Sequence, residues 1–444
     1  MSFPRYERYK ESEVEWLGEV PEHWGITQSR RVFSQRQEKA CAADQQLTAS
    51  QKHGVIYQAD FMALEGQKVV QVIYGADILK HVEPNDFVIS MRSFQGGIEW
   101  CGLRGSTSSA YVMLIPSSKI ETKFFRYLFK SKPYIQALQC TTNLVRDGQA
   151  LRYDNFTQVP LPVVPLPEQL AIAAFLDRET TKIDALTEQQ QRLIDLLQEK
   201  RQAIISHAVT NGLDPNAPMK ASGLEWLGDV PKHWTITPLK WLTDPKRPIM
   251  YGIVLPGPDV GEGIPILKGG NVRPSRMNLQ SMARTTPEIE APYARARLKE
   301  GDLVYSIRGS IGDCEPVPAE LEGSNITQDV ARVAIADGAC APWARWALLA
   351  SSIRDRLASG SLGAAVRGIN IFDLKRASIP TPPPGEQAAI AAFIDGETAR
   401  LERLAAEAKR AIALLLERRS ALISAAVTGK IDVRGLVPVE AEAA

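Results

Sequence analysis

Basic and amide side chains next to glycines are the residues of this chain best suited to chemistry with another molecule. Arg92, Gln95 and Arg104 stand around a Gly96-Gly97 turn, and Asn143 and Arg146 precede Asp147-Gly148. Lys268, Asn271, Arg273 and Arg276 surround Gly269-Gly270, Arg308 precedes Gly309, and Arg367 comes with Asn370. Donors of this kind on loops can reach base edges in a DNA groove, or phosphates, and the two contacts are indistinguishable at this level. A solvated surface charge explains any one of them as well. Their recurrence in both halves of the chain favours contact for the set.

Residues that could do covalent chemistry are harder to assemble. His23-Trp24 and His233-Trp234 recur, each two residues after a proline, which points to an aromatic-packed turn rather than to catalysis. Asp86, Glu121 and Lys123 could be forced into a metal-dependent nuclease pattern, yet Asp86 has its counterpart in Asp302, where no matching Glu-x-Lys follows. Thr428-Gly-Lys430 lacks the earlier glycine of a phosphate-binding loop. No Asn-Pro-Pro-aromatic loop of an adenine methyltransferase and no metal-ligand spacing occurs. The sequence therefore predicts no catalytic, cofactor-binding or metal-binding residue.

Two repeated boxes must position the loops. Glu15-Trp-Leu-Gly-Glu-Val-Pro-Glu-His-Trp-Gly-Ile-Thr27 returns as Glu225-Trp-Leu-Gly-Asp-Val-Pro-Lys-His-Trp-Thr-Ile-Thr237, identical at ten of thirteen positions. Ala171-Ile-Ala-Ala-Phe-Leu-Asp-Arg-Glu-Thr180 returns as Ala389-Ile-Ala-Ala-Phe-Ile-Asp-Gly-Glu-Thr398, identical at eight of ten. Between the boxes, over 30–150 and 240–365, the halves share little. Uniform drift would have blurred ends and middles alike, so the pattern implies one frame holding two modules free to differ.

Within each module, β-rich runs (Lys68–Tyr74, Asp86–Arg92, Gly301–Arg308) mix with a helical stretch near 123–137, giving an α+β class. Asn85–Arg92 and Gly301–Arg308 match in character, which predicts a shared module fold. Gly261–Arg273 reads as a strand entering a glycine-rich loop. Prolines hold 160–165 extended, and Pro167-Glu168 suits a helix start. The long helix that follows carries Ile183, Leu186, Leu193, Leu197 and Ile204 on one stripe, interrupted by Gln190 and Lys200. Its counterpart carries Leu401, Leu404, Ala408, Ala411, Leu415 and Leu422, with Arg418 matching Lys200. A narrow apolar seam between polar flanks suits a two-stranded coiled coil, here antiparallel and within one molecule. Separate packing of each helix on its own module is the alternative.

These boxes, in this order, closely resemble the specificity subunits of type I restriction-modification systems, and the resemblance covers essentially the whole chain. It implies two target recognition domains, 1–165 and 219–383, each reading half of a split double-stranded DNA site. It implies conserved spacer helices at 166–218 and 384–434, with a tail at 435–444, and a pseudo-two-fold internal repeat. It further implies two partner methyltransferase (modification) subunits and restriction/translocase subunits, so that S-adenosylmethionine, ATP and Mg²⁺ belong to partners rather than to this chain. The second half is a few residues longer between its boxes, which concerns loop lengths in the second module. About 30 residues of helix would span roughly 45 Å, comparable with the ~34 Å between half-sites one turn apart. A coiled-coil adaptor without DNA readout would leave the divergence of the modules unexplained.

Bulk properties agree. With 444 residues, 44% hydrophobic and 23% charged, the chain can form two or three domains. A net charge of +1 argues against a non-specific polyanion binder but not against a reader with a local basic face. Five scattered cysteines without a C-x-x-C pair read as reduced residues, and the N-terminus lacks a signal-like apolar stretch. Both features predict a cytoplasmic protein without membrane contact.

Overall fold

The computed structural model describes residues 3–41, 43–66, 78–142, 151–359 and 368–436. The predicted strand at Lys68–Tyr74 lies outside them. Two compact units emerge, Met1–Gln191 with Arg410–Ala444, and Arg192–Lys409. The helices assigned above to separate spacer segments are thus each divided between the units.

In the first unit a four-stranded antiparallel sheet has the order Phe33–Gln35, Val112–Pro116, Phe87–Ile89, Glu99–Trp100. The second unit repeats it as Met250–Tyr251, Val330–Val333, Leu303–Ser306, Cys314–Pro316. The matched strands Phe87–Ile89 and Leu303–Ser306 are wholly buried, in keeping with their largely apolar sequences. Each is entered through a left-handed residue, Asn85 (φ 75°) or Gly301 (φ 80°), and then a buried aspartate. Asp86 takes two hydrogen bonds from Arg36 (2.7 and 3.0 Å) and one from the Glu83 amide. Asp302 takes two from Arg247 (2.6 and 2.5 Å) and one from the Lys299 amide. Asp86 is therefore a structural carboxylate spent on a turn, as its recurrence suggested. Glu121 caps the helix Thr122–Leu128 through the Lys123 amide, completing the case against a nuclease triad.

Outside this shared sheet the modules differ. The first adds the hairpin Leu47–Ser50/Gly54–Tyr57, whereas the second adds a three-stranded sheet, Ala283–Thr285, Ile264–Leu267, Asn325–Ile326, with a small core of its own. The helical stretch predicted near 123–137 is two helices, Thr122–Leu128 and Lys132–Cys140, because Pro133 can enter only a first helical turn.

The repeated boxes form matching joints. Strand Gly25–Gln28 pairs with Pro160–Val163, and Thr235–Pro238 pairs with Ser378–Thr381, so each box is hydrogen-bonded to the strand that leads into a long helix. Trp24 and Trp234 are fully buried in the two cores. At the start of the first long helix, Glu168 accepts from Trp24 Nε1 (3.0 Å) and Tyr6 OH (2.6 Å) and pairs with His23 Nε2 (2.7 Å). Glu386 does the same for His233 (2.8 Å) alone, and Trp234 Nε1 is buried without a hydrogen-bond partner among the described residues. The next residues also correspond. Gln169 bridges the Glu121 amide and the Val164 carbonyl, and Gln387 bridges the Cys340 amide and the Pro382 carbonyl. Asp177 accepts from Tyr127 OH, and Asp395 from Trp346 Nε1, tying each long helix to a module helix.

The long helices run over Leu166–Asn211 and Pro384–Val427, 46 and 44 residues, which exceeds the expected length. Both end on glycines in the left-handed region, Gly212 (φ 77°) and Gly429 (φ 71°), the cap that avoids a Cβ clash. In the first unit the end of the second helix packs with the start of the first: Leu422, Ile423, Ala426 and Val427 share a core with Ile172, Phe175, Leu176 and Ile183. In the second unit Ile205, Ala208 and Val209 share a core with Ile390, Ala391 and Ile394. The sense is antiparallel in both, and each contains one matched cross-helix ion pair: Arg419–Asp184 at 2.9 Å in the first and Arg201–Glu402 at 3.5 Å in the second.

The seam keeps part of the expected stripe, since Ile183, Leu197, Leu401, Ala408 and Leu422 are buried, and departs from it elsewhere. Leu186, Leu193 and Leu404 are 46%, 42% and 41% exposed, and Lys200 and Arg418 face solvent. The buried line runs through Ile183, Ile194, Leu197, Ile205 and Ala208, with half-buried Thr187, Gln190 and Arg201 between them. Arg201 and Arg419, rather than Lys200 and Arg418, are the matched basic pair of the seam.

Candidate nucleic-acid interface

The second unit gathers its candidate residues from four segments. Leaving strand Ile264–Leu267, Lys268 is exposed, and its amide donates to Asn271 Oδ1 (3.1 Å), closing the turn Gly269–Asn271. The Asn271 amide nitrogen donates to the Ser281 carbonyl (3.2 Å), so this side chain organises the loop. A Cβ at Gly269 would lie 2.8 Å from the Arg308 carbonyl oxygen, so only glycine lets this turn rest on the segment after strand Leu303–Ser306. Arg276 donates to the Gly270 carbonyl (3.3 Å), and Arg273 pairs with Asp313 (3.3 Å) while remaining half-exposed. Arg308 is exposed and bridges to Gly368, two residues before Asn370. Asn370 accepts from the Phe372 amide (2.9 Å) and caps the helix Ile371–Arg376. A fourth segment brings Arg354, whose Cδ would lie 2.7 Å from a Cβ at Gly312. Lys268, Arg273, Arg276, Arg308 and Arg354 thus form one basic surface. Arg354 has no flanking glycine, so nothing in the local sequence singles it out. Arg367 lies outside the described residues.

In the first unit Arg92 occupies the place of Arg308, just beyond the matched strand. It opens the short helix Ser93–Gly96, and Arg92 and Gln95 are both exposed. The turn is wedged in place: Gln51 from the hairpin tip donates to the Arg92 carbonyl (3.2 Å), and a Cβ at Gly96 would lie 2.6 Å from that side chain. Gly97 (φ 80°) passes so close to the Phe129 carbonyl that any Cβ would overlap it. Asn143 and Arg146 lie outside the described residues.

Arg104 is 64% exposed and faces Glu83 (3.5 Å) and Asp44 (3.9 Å). Between these acids lies buried His81, with Nδ1 2.7 Å from Asp44 and Nε2 2.8 Å from Glu83. Burial disfavours a charged imidazole, but the two hydrogen-bonded carboxylates outweigh it and raise the His81 pKa. Glu83 is lowered in turn, through its hydrogen bond to His81. Asp44 is lowered too: burial opposes this, and the Cys41 amide and His81 overcome it.

This collection offers hydrogen-bond donors and positive charge without a nucleophile beside a base. The two buried thiols are poor nucleophiles: burial pushes Cys101 up to about 11 and raises Cys314 further still. No group of three or more His, Cys, Asp or Glu among the described residues is arranged to hold a metal. No helix among them is long and apolar enough to cross a membrane. Donors on glycine-shaped loops over a rigid sheet suit the recognition of a polyanion with readable edges.

Comparison with known proteins points the same way, although no family model matches the chain. The type I restriction enzyme EcoBI specificity subunit of Escherichia coli is 24% identical over 359 residues, 80% of this chain and 75% of that protein. The EcoKI specificity subunit of Escherichia coli is 23% identical over 379 residues, 80% and 76%. The putative MjaX specificity subunit of Methanocaldococcus jannaschii is 21% identical over 463 aligned positions, 98% and 99%. Among solved structures, a chain from a study of assembly and conformational transition in the type I R-M system matches with a TM-score of 0.69 and 15% identity, covering 92% of this chain and 98% of that one. The HsdS subunit of Thermoanaerobacter tengcongensis matches with a TM-score of 0.52 and 17% identity, at the same coverage.

Proposed function

Because the chain belongs to the specificity subunits of type I restriction-modification systems, we propose that it is the non-catalytic reader of a bipartite duplex DNA site. Each module reads one half-site. In the first, Arg92, Gln95 and Arg104, with Asn143 and Arg146, are the contact residues. In the second they are Lys268, Asn271, Arg273, Arg276, Arg308, Arg367 and Asn370, joined by Arg354. Asn271 and Asn370 also shape their loops, since their side-chain oxygens serve backbone amides. Base contacts carry specificity, while phosphate contacts carry affinity and its salt dependence.

The long helices hold the modules and present their polar outer faces to two methyltransferase subunits, which bring S-adenosylmethionine to an adenine in each half-site. Restriction and translocase subunits join that core with ATP and Mg²⁺. The observation that carries this reading is the pair Arg92 and Arg308. They sit at the same place on matched sheets, held by duplicated joints, while the added substructures around them differ. A frame kept twice around unlike loops, each with an exposed arginine at the matched place, suits two different half-sites.

The test is base-resolution adenine methylation of host DNA with and without this gene, its modification partner present in both. Loss of one bipartite methylated motif supports the reading. An unchanged methylome would overturn it.

A further inference from the structure

On the second unit, two exposed aromatic rings are carried by a turn and a helix that pack together, with a lysine near each. Trp241, 71% exposed, ends the turn Leu239–Trp241, and Lys240 Nζ lies 5.0 Å from its ring centroid. Phe372, 65% exposed, sits in the first turn of helix Ile371–Arg376, with Lys375 Nζ 6.0 Å from its ring. Turn and helix pack together, joined by the Leu239 amide donating to the Ala377 carbonyl (2.9 Å). The only acid of that helix, Asp373, lines a cavity with Trp226 and Arg356.

Large exposed rings cost solubility and mark a surface that something covers. The centre of a protein–protein interface is depleted in lysine, whereas here a lysine accompanies each ring. Ammonium groups over aromatic faces suit a polyanion that also offers flat or apolar surface, which describes duplex DNA. The patch is continuous with the basic surface described above, since Asn370 caps the Phe372 amide and Gly368 bridges to Arg308. The matched turn of the first unit, Ser29–Arg31, exposes Arg30 and Arg31. Positive charge therefore recurs at this place in both repeats, and the aromatic pair does not.

We propose that Trp241 and Phe372, with Lys240 and Lys375, form a second DNA contact beside the half-site read by the second module. The lysines meet phosphates, and the rings pack on deoxyribose or on a base step opened at the edge of the site. Arg30 and Arg31 make the corresponding contact, through charge alone, at the other half-site. This inference rests on the DNA-reader function proposed above and adds a site to it.

The experiment uses the complex of this chain with its methyltransferase subunits and a duplex carrying the methylated motif. Trp241→Ala/Phe372→Ala should weaken binding about tenfold or more and remove hydroxyl-radical protection at the edge of one half-site only. Lys240→Ala/Lys375→Ala should lower the steepness of the salt dependence by about two contacts. Unchanged affinity and footprint in the aromatic variant would overturn the proposal, whether or not methyltransferase association falls. Because both rings are exposed, an unchanged melting temperature confirms folding, and Trp241→Gln/Phe372→Leu provides a second, milder variant with the same expected direction. Failure of the unsubstituted complex to bind any duplex specifically would instead sink the reader function itself.

Discussion

Replacing Glu168 with alanine should destabilise the first unit far more than Glu386→Ala destabilises the second, although the two residues hold the same place in the repeat. Glu168 is only 5% exposed and accepts from Tyr6 OH and Trp24 Nε1, with His23 completing the set. Burial and the hydrogen bond to Glu168 hold the Tyr6 phenol far above its ordinary pKa, so it remains a donor at all accessible pH. Removing the carboxylate leaves two buried donors unsatisfied, at about 1–3 kcal/mol each, for a total of about 3–5 kcal/mol. Glu386 meets only His233, both partly exposed (29% and 50%), and such a pair is worth about 0–1 kcal/mol. With each kcal/mol moving the melting point of a domain this size by about 2–4 °C, Glu168→Ala should lower one transition by about 10 °C. Glu386→Ala should move the other by no more than about 4 °C by the same conversion. Calorimetry combined with hydrogen exchange, which assigns each transition to a unit, measures both. Equal losses, or a larger loss for Glu386→Ala, would refute the reasoning.

Other consequences follow from the same geometry. Gly97→Ala and Gly252→Ala place a Cβ against the Phe129 and Ile326 carbonyl oxygens, and each should abolish soluble expression or cost about 3 kcal/mol or more in denaturant titration. In the native protein, exposed Cys41 and Cys140 should react with a thiol reagent at neutral pH, whereas Cys101 and Cys314 should react only after unfolding; counting modified thiols by mass spectrometry decides it. His81, whose folded pKa lies above its unfolded value near 6.5, contributes stability that is fully present below pH 6.5 and is lost as pH rises through the folded pKa. Asp44 and Glu83, both lowered, add stability above their unfolded values near 4 that disappears on acidification. His81→Gln should flatten the alkaline side of the first unit's melting profile; an unchanged profile would remove His81 from the account.

The frame was legible because two copies solve one mechanical problem with the same residues. His23-Trp24 recurs as His233-Trp234, which marked an anchoring turn before any contact was known, whereas Glu168, far away in sequence, read only as a helix start. The seam was harder. Leucines at 186, 193 and 404 offer a plausible apolar stripe, and the true line is diluted by Thr187, Gln190 and Arg201, which a hydropathy pattern discounts. Arg104 read as a free basic residue because its partners Asp44 and Glu83 reach it only through the sheet. Arg354 and the Trp241–Phe372 pair carry no glycine signature, and only tertiary packing brings Arg354 against Gly312 and the Trp241 turn against the Phe372 helix.

The most direct test of the central claim exchanges residues 28–160 for the equivalent segment of another specificity subunit and reads the adenine methylome. The account predicts a hybrid motif in which one half-site is replaced and the other is retained. Replacement of both halves, or an unchanged motif in an active complex, would contradict it.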